Sequence, residues 1–225
     1  MANFQTHFSG AAIAGVLSSS LFLSANVVSI HYFLACLCLT IIGGIFPDID
    51  SDHSESIKII FTLLALFFST FSLIFVTNHA SLLICIISFF STYLVIRYGL
   101  INAFRHLTSH RGLFHSIPMS LLISILIYML SHWGLKFSSL SSLVFGFSFL
   151  IGYITHLGLD EFYSVNFSNV KLKKSFGSAL TIFSLNNIIG YSLLYIILFS
   201  LIFINPIIIS NAILIKNLIL KMHIL

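Results

Sequence analysis

The run IKIIFTLLALFFSTFSLIFVT, from Ile57 to Thr77, decides the fold class, because it contains a single charged side chain, Lys58. A helix needs about 20 mostly apolar residues to cross the hydrocarbon core of a bilayer. Other apolar runs lie at 10–28, 31–46, 80–98, 113–131, 139–157, 187–204 and 206–222. The last of them, after Pro206, fits either a spanning helix or one that lies along the interface. We therefore predict an all-α, polytopic membrane helical bundle of roughly six to eight helices.

The composition of the whole chain agrees with a membrane protein. Of its 225 residues, 58% are hydrophobic and 7% are charged, and the mean hydropathy is +1.09. A water-soluble domain would have about a quarter charged residues. No room is left for a separate soluble domain, so residues 1–225 are predicted to form a single membrane-embedded domain. The first ten residues contain no Lys or Arg, which a cleaved signal peptide would carry, so the first apolar segment is expected to be retained.

Acidic side chains are confined to two short clusters, each beside a histidine. Four of the six Asp and Glu residues lie between Asp48 and Glu55, and the other two are Asp160 and Glu161, just after His156. A chain with so few charges that places its carboxylates beside histidines is expected to use them in a site. The three aspartates at alternate positions of the first cluster repel one another unless a cation or a basic partner neutralises them.

The spacing of His156 and Asp160 is that of two ligands on one metal. Residues four apart share a helix face, with Cβ atoms about 5–6 Å apart. The predicted helix reaches Asp160 where the hydrocarbon ends, so the carboxylate avoids the cost of about 2.5–3.5 kcal/mol expected for a charge at mid-bilayer. A solvated helix end with an interfacial histidine is the alternative interpretation.

A second histidine pair lies in the stretch HRGLFHS, residues 110–116, immediately before an apolar run. His110 and His115 converge if the first lies in the loop and the second in the first turns of the following helix. Arg111 offers a planar set of donors that suits a carboxylate or phosphate. An ordinary polar helix-entry loop is the alternative. His7, just ahead of the first predicted helix, is a weaker candidate by itself.

Hairpin counting predicts that these motifs share one membrane face. If the apolar runs pair as hairpins, the long polar breaks at 47–56, 99–112 and 158–186 all return to the face on which the N-terminus begins. Nine of the ten Lys and Arg residues fall on or near that face, and Lys136 alone falls opposite. By the positive-inside rule, this face is predicted to be cytoplasmic.

The residue types at these positions favour a divalent metal. Cys36, Cys38 and Cys85 lie in apolar runs without the paired spacing of a thiolate site. Histidine and carboxylate ligands then indicate zinc first, with manganese or iron as alternatives, ahead of copper(I). The first acidic cluster does not follow the calcium-loop pattern, and the chain has no nucleophile elbow, P-loop or dinucleotide fingerprint. A metal with an activated water remains, with a free carboxylate such as Glu161, Asp50 or Asp52 as general base.

Four motifs in this order resemble the YdjM-type family of bacterial inner-membrane proteins, which are described as predicted membrane-bound, metal-dependent hydrolases. The motifs cover most of the chain and are Thr6-His7, Pro47-Asp48-Ile49-Asp50, His110 to Ser116, and His156 with Asp160. The family is similar to zinc-dependent phospholipase C, which implies a phosphoester substrate. Some members belong to LexA-controlled DNA damage responses, which concerns expression rather than chemistry.

Two departures from the family pattern bear on the fit of a substrate. Phe114 stands where a Thr is expected before the second His. After Asp160 the chain continues Glu161-Phe162-Tyr163-Ser164-Val165 instead of a Thr-Pro-x-Gly type of turn.

The leading hypothesis is a metal-dependent hydrolase of the bacterial inner membrane, acting on a phosphoester such as a lipid headgroup. The expected metal ligands are His7, Asp48, Asp50, His110, His115, His156 and Asp160. Catalytic roles are expected for Glu161, Asp52 and Arg111, and contacts to an anionic substrate for Arg105, Lys171, Lys173 and Lys174. Membrane lipids are the expected partners, and no direct nucleic-acid binding is expected. A non-catalytic membrane protein with a structural metal or a docking face is the alternative, ahead of a transporter, which would need ionisable residues near the midplane.

Overall fold

A computed structural model describes residues 3–50, 55–77, 80–107, 113–166, 171–172 and 180–206, together with positions 210 and 213. Side chains at 50, 105–107, 165–166, 171–172 and 186 are outside this description. The described part contains eight α-helices: α1 (Phe4–Ser24), α2 (Phe33–Ile45), α3 (Glu55–Thr77), α4 (Leu82–Leu94), α5 (Ile101–Leu107), α6 (Ile117–Met129), α7 (Ser139–Ser164) and α8 (Ile188–Ile204).

Short irregular elements extend or connect these helices. A π-helical segment, Val95–Leu100, joins α4 to α5, and another, Leu130–Gly134, continues α6. Single 3-10 turns lie at Ile30–Tyr32, Pro47–Asp50 and Leu185–Asn187. Two strands of two residues each, β1 (Val165–Asn166) and β2 (Lys171–Leu172), pair antiparallel directly after α7.

Five helices in the described part are long and apolar enough to cross a membrane: Phe4–Ser24, Glu55–Thr77, Leu82–Phe104, Ile117–Gly134 and Ser139–Ser164. Two shorter apolar helices, Ile30–Ile45 and Ile188–Ile204, accompany them. Large side chains such as Phe75, Leu82 and Phe203 are exposed on 74%, 77% and 87% of their surface. A surface this apolar suits lipid rather than water. The prediction of an all-α membrane bundle is confirmed.

The chain divides into two compact units. The first comprises Met1–Pro47 and Leu113–Leu225, and it contains α1, α2, α6, α7 and α8; the second comprises Asp48–Gly112. Within the second unit, α3 packs against α4, and the hydroxyls of Ser72 and Ser88 are 2.6 Å apart between them. The single domain expected from the sequence stays a prediction.

Helix α7 is the centre of the first unit and packs against α1, α2 and α6. It is the most buried of the five long apolar helices. Close approach of the backbones depends on glycine, because a methyl group at Gly152 would overlap the carbonyl of Thr40 in α2, and one at Gly43 would overlap the carbonyl of Phe149 in α7. A methyl group at Gly44 would overlap Ala11 of α1. Small residues therefore allow the backbones of α1, α2 and α7 to contact one another.

Tight turns join α1 to α2 and α6 to α7. Each contains one residue in the left-handed region, Asn26 with φ 53° and Lys136 with φ 61°. The helices of each hairpin run antiparallel, so α1 begins where α2 ends, and α6 begins where α7 ends. These four helix termini carry the polar groups of the candidate site.

Three helix boundaries differ from the sequence prediction in ways that matter for the site. Helix α1 begins at Phe4 instead of residue 10, because the side chain of Asn3 caps it by accepting the Thr6 N–H at 2.9 Å, so His7 is helical. Helix α7 extends beyond the apolar run 139–157, reaches Asp160 as predicted, and continues to Ser164, so Glu161 is helical as well. Helix α6 begins at Ile117, so His115 precedes it. The run predicted at 206–222 falls outside the described residues except at 206, 210 and 213.

Candidate metal centre

His7, His156 and Asp160 meet at one end of the first unit. His7 comes from the first turns of α1, while His156 and Asp160 lie one turn apart near the end of α7. The His7 Nε2 atom is 3.3 Å from Asp160 Oδ1, and the His156 Nε2 atom is 3.7 Å from Asp160 Oδ2. Each residue offers one ligand atom, and the three atoms lie within 4.8 Å of one another. Two helices distant in sequence thus supply one compact set of donors.

The two imidazole rings of this set are stacked on each other. Their centroids are 3.6 Å apart and their planes differ by 13°. The stacking places two potential metal ligands side by side, and imidazole binds metals in its neutral form.

A backbone carbonyl determines which nitrogen of His156 carries the proton. The His156 Nδ1 atom is 2.7 Å from the carbonyl oxygen of Gly44, in the last turn of α2. A carbonyl oxygen only accepts, so Nδ1 carries the hydrogen and donates it. The Nε2 atom, which faces Asp160, then holds the lone pair. Metal-binding histidines are commonly oriented through the other ring nitrogen in this way.

His115 is a fourth member of the cluster. It lies in the turn before α6, and its Nε2 atom is 3.8 Å from Asp160 Oδ2. Its ring centroid is 5.7 Å from that of His156, with the planes at 65°. Ser116, the N-cap of α6, donates its hydroxyl to the Leu113 carbonyl at 2.6 Å, which closes the turn that carries His115. We call His7, His115, His156 and Asp160 the metal centre below.

All four side chains of the metal centre are buried, with exposed fractions of 1%, 4%, 0% and 4% in chain order. Burying a carboxylate in an apolar bundle costs several kcal/mol unless a cation or a set of donors compensates for it. Two zinc ligands about 2.0–2.1 Å from the ion lie about 3.3 Å apart in tetrahedral geometry. The separation of 3.3 Å between His7 and Asp160 matches this value, and those of 3.7 and 3.8 Å need only a small contraction.

The donor types provide a further test of the fit. The His7 Nε2 atom faces Asp160, while the His7 Nδ1 atom is buried and has no hydrogen-bond partner in the described part of the chain. Imidazole and carboxylate together are the donors that zinc, manganese and iron accept. The residues present therefore fit a divalent metal.

The other predicted site residues do not all have described side chains. Asp48 and Asp50 lie in the 3-10 turn directly after α2, at the start of the second unit, with Asp48 half-buried. Glu161 is half-buried beside Asp160 on α7. Arg105 lies on α5 and Lys171 on β2, where the backbone alone is described. Five predicted residues lie outside the described residues: Asp52, His110, Arg111, Lys173 and Lys174.

The Gly44 carbonyl, which orients His156, was not predicted from the sequence. It belongs to the backbone, so no side-chain motif signals it. The pair Gly43-Gly44 at the end of an apolar run is the available signal, because adjacent small residues in a membrane helix indicate close contact with another helix.

Comparison with known proteins adds a family. The sequence model of the YdjM inner membrane protein family matches residues 1–212. No match was found among curated proteins or among solved structures.

Proposed function

The chain belongs to the YdjM inner membrane protein family, and from this premise we propose that it is a metal-dependent hydrolase of the bacterial inner membrane. The observation that carries the proposal is the buried group His7, His156 and Asp160, whose ligand atoms lie within 4.8 Å of one another. Zinc is the proposed metal, and manganese or iron would accept the same donors.

A metal bound here would polarise a phosphoryl oxygen and bring the pKa of a bound water to about 7. The protein's own groups prepare the site. The Gly44 carbonyl holds His156 with its Nε2 lone pair toward Asp160. The carboxylate of Asp160 offsets positive charge, and His115 supplies a further donor from the turn before α6. Glu161 is the proposed general base, while Asp48, Asp50, Asp52, His110 and Arg111 remain predictions from the sequence.

We propose a phosphoester with an apolar portion, such as a lipid, as the substrate class. The metal centre lies at the termini of apolar helices, the level at which lipid headgroups are found. The chain carries a formal net charge of +4, which favours an anionic substrate. The proposed contacts to that substrate are Arg105, Lys171, Lys173 and Lys174, on a face that the positive-inside rule makes cytoplasmic.

A structural metal is the second candidate, and the burial of the ligands favours it. Exposed fractions between 0% and 4% limit the access of water to the ligands, which suits a structural site, whereas a catalytic metal keeps one position open to water. In this case the metal would tie α1 to α7 and stabilise the bundle without catalysing a reaction.

A hydrolysis assay with the detergent-purified protein distinguishes the two candidates. Soluble phosphodiesters and phospholipids in mixed micelles would be offered to the zinc-loaded protein, to the chelated protein and to an Asp160→Asn variant. The hydrolase proposal predicts turnover only in the zinc-loaded wild type, with recovery when zinc is restored. If the wild type retains zinc but turns over none of these substrates, while chelation lowers its melting temperature, the structural role is correct.

A further inference from the structure

Tyr153 occupies the same face of α7 as His156 and Asp160. The spacings of three and seven residues place the three side chains along one stripe of the helix. Tyr153 is fully buried, with an exposed fraction of 0%. Its hydroxyl donates a hydrogen bond to the backbone carbonyl of Phe114, the residue before His115. One side chain of α7 therefore contacts the turn that carries a histidine of the metal centre.

The ring of Tyr153 is held in place by aromatic neighbours. Its centroid lies 5.9 Å from that of Phe149 and 6.2 Å from that of Phe46. Phe46 also packs against Phe114, with centroids 6.4 Å apart. A buried tyrosine hydroxyl needs a polar partner, and a carbonyl in an apolar surrounding needs a donor, so the two groups satisfy each other.

We propose that Tyr153 is a positioning residue, whose hydroxyl holds the turn Leu113–Ser116 so that His115 faces Asp160. A role of Tyr153 in catalysis rests on the proposed function. The positioning of His115 is a property of the folded chain and is tested independently of that function. The Phe114 carbonyl is one bond removed from the backbone nitrogen of His115, so a displacement of the carbonyl displaces the imidazole. The His115 Nε2 atom is 3.8 Å from Asp160 Oδ2, so a small shift takes it out of reach of a metal ion that the two side chains would share.

Other contacts keep this turn folded when the hydroxyl is removed. Ser116 donates to the Leu113 carbonyl, and the Ile117 N–H donates to the Thr181 carbonyl at 3.1 Å. Replacing Tyr153 with Phe keeps the ring and its packing and removes one donor. The expected defect is therefore local to His115.

The test compares Tyr153→Phe with Tyr128→Phe. Tyr128 is also buried, with an exposed fraction of 2%, and its hydroxyl is 3.2 Å from that of Ser139, at the other end of the α6–α7 hairpin. Affinity for Zn²⁺ and Co²⁺ would be measured by competition with a chelating dye. We expect Tyr153→Phe to weaken binding about 10–100-fold, as loss of an outer hydrogen-bonding partner does, and Tyr128→Phe to leave it unchanged. In a His115→Ala background the Tyr153 substitution should have no further effect.

A second readout needs no metal. The rate at which diethyl pyrocarbonate modifies His115 in the chelated protein would be followed by mass spectrometry. We expect Tyr153→Phe to raise this rate several-fold by loosening the turn, and Tyr128→Phe to leave it at the wild-type value. If the wild type binds no metal but Tyr153→Phe still raises the rate of His115 modification, the positioning role is supported and the proposed function is wrong. Equal metal affinities and equal modification rates in the two variants would overturn the positioning role, even if the wild type binds metal.

Discussion

Replacing Gly152 with alanine should damage the metal centre although Gly152 is no ligand. The added methyl carbon would lie 2.9 Å from the Gly44 nitrogen, where ordinary contact begins near 3.4 Å, and it would overlap the Thr40 carbonyl. The overlap with the Thr40 carbonyl is the deeper of the two, so α2 must recede from α7 by more than about one ångström, since both neighbours belong to its backbone.

This displacement acts directly on the hydrogen bond that orients His156. The distance from His156 Nδ1 to the Gly44 carbonyl is 2.7 Å, and a displacement of that size would lengthen it beyond about 3.2 Å, the limit for a good hydrogen bond. Overpacking of this kind costs about 1–3 kcal/mol, which lowers the melting temperature by about 2–4 °C per kcal/mol in a chain of this size. Loss of the orienting bond should weaken metal binding about 10–100-fold.

Gly158→Ala is the matched control for this prediction. Gly158 lies on the same helix between His156 and Asp160, yet a methyl group there meets no atom of the described residues within 4 Å. Alanine favours a helix over glycine by about 1 kcal/mol, so stability should hold or rise. The assay is thermal unfolding in detergent together with zinc affinity by chelator competition. If the two variants are indistinguishable in both measurements, the reasoning from helix contact is wrong.

Two further predictions concern α1 and the metal. Asn3→Ala should destabilise the start of α1 by about 1 kcal/mol and loosen His7, because it removes the acceptor for the Thr6 N–H. The control variant Asn3→Asp keeps that acceptor. Equal melting temperatures for the two variants would contradict the capping role. Chelation of a metal present at 100 times its Kd should lower the stability of the wild type by about 2.7 kcal/mol. The loss would be measured as a fall in melting temperature that added zinc reverses. A chelator effect of the same size in His156→Ala would show that the metal binds elsewhere.

The fold class could be predicted from the sequence because the signal for a membrane helix is mainly one of length and composition. Runs such as 57–77 and 139–157 are too long and too apolar for another interpretation, and the structure has helices at both. The ends of the helices could not be predicted as well. Asn3 extends α1 through a capping hydrogen bond, and α7 continues past Asp160 to Ser164, neither of which apolar periodicity detects.

The candidate site was predictable where it depends on helix geometry. The spacing of His156 and Asp160 places both on one face, and counting hairpins indicates that His7 returns to the same end, where the structure brings it within 3.3 Å of Asp160. The Gly44 carbonyl and the contact from Tyr153 to Phe114 depend on how closely particular backbones approach. A single sequence contains no direct signal for such distances, so these contacts required the structure.

The most direct test of the metal centre is the metal content of the purified protein. Membranes from metal-supplemented cultures would be solubilised, and zinc, manganese and iron would be counted per chain for the wild type, for His156→Ala combined with Asp160→Ala, and for His31→Ala. His31 is an exposed histidine in the 3-10 turn before α2, outside the metal centre. The structure predicts about one divalent metal per chain in the wild type and in His31→Ala, and its loss in the double variant. A wild type without metal, or a double variant that retains as much as the wild type, would contradict it.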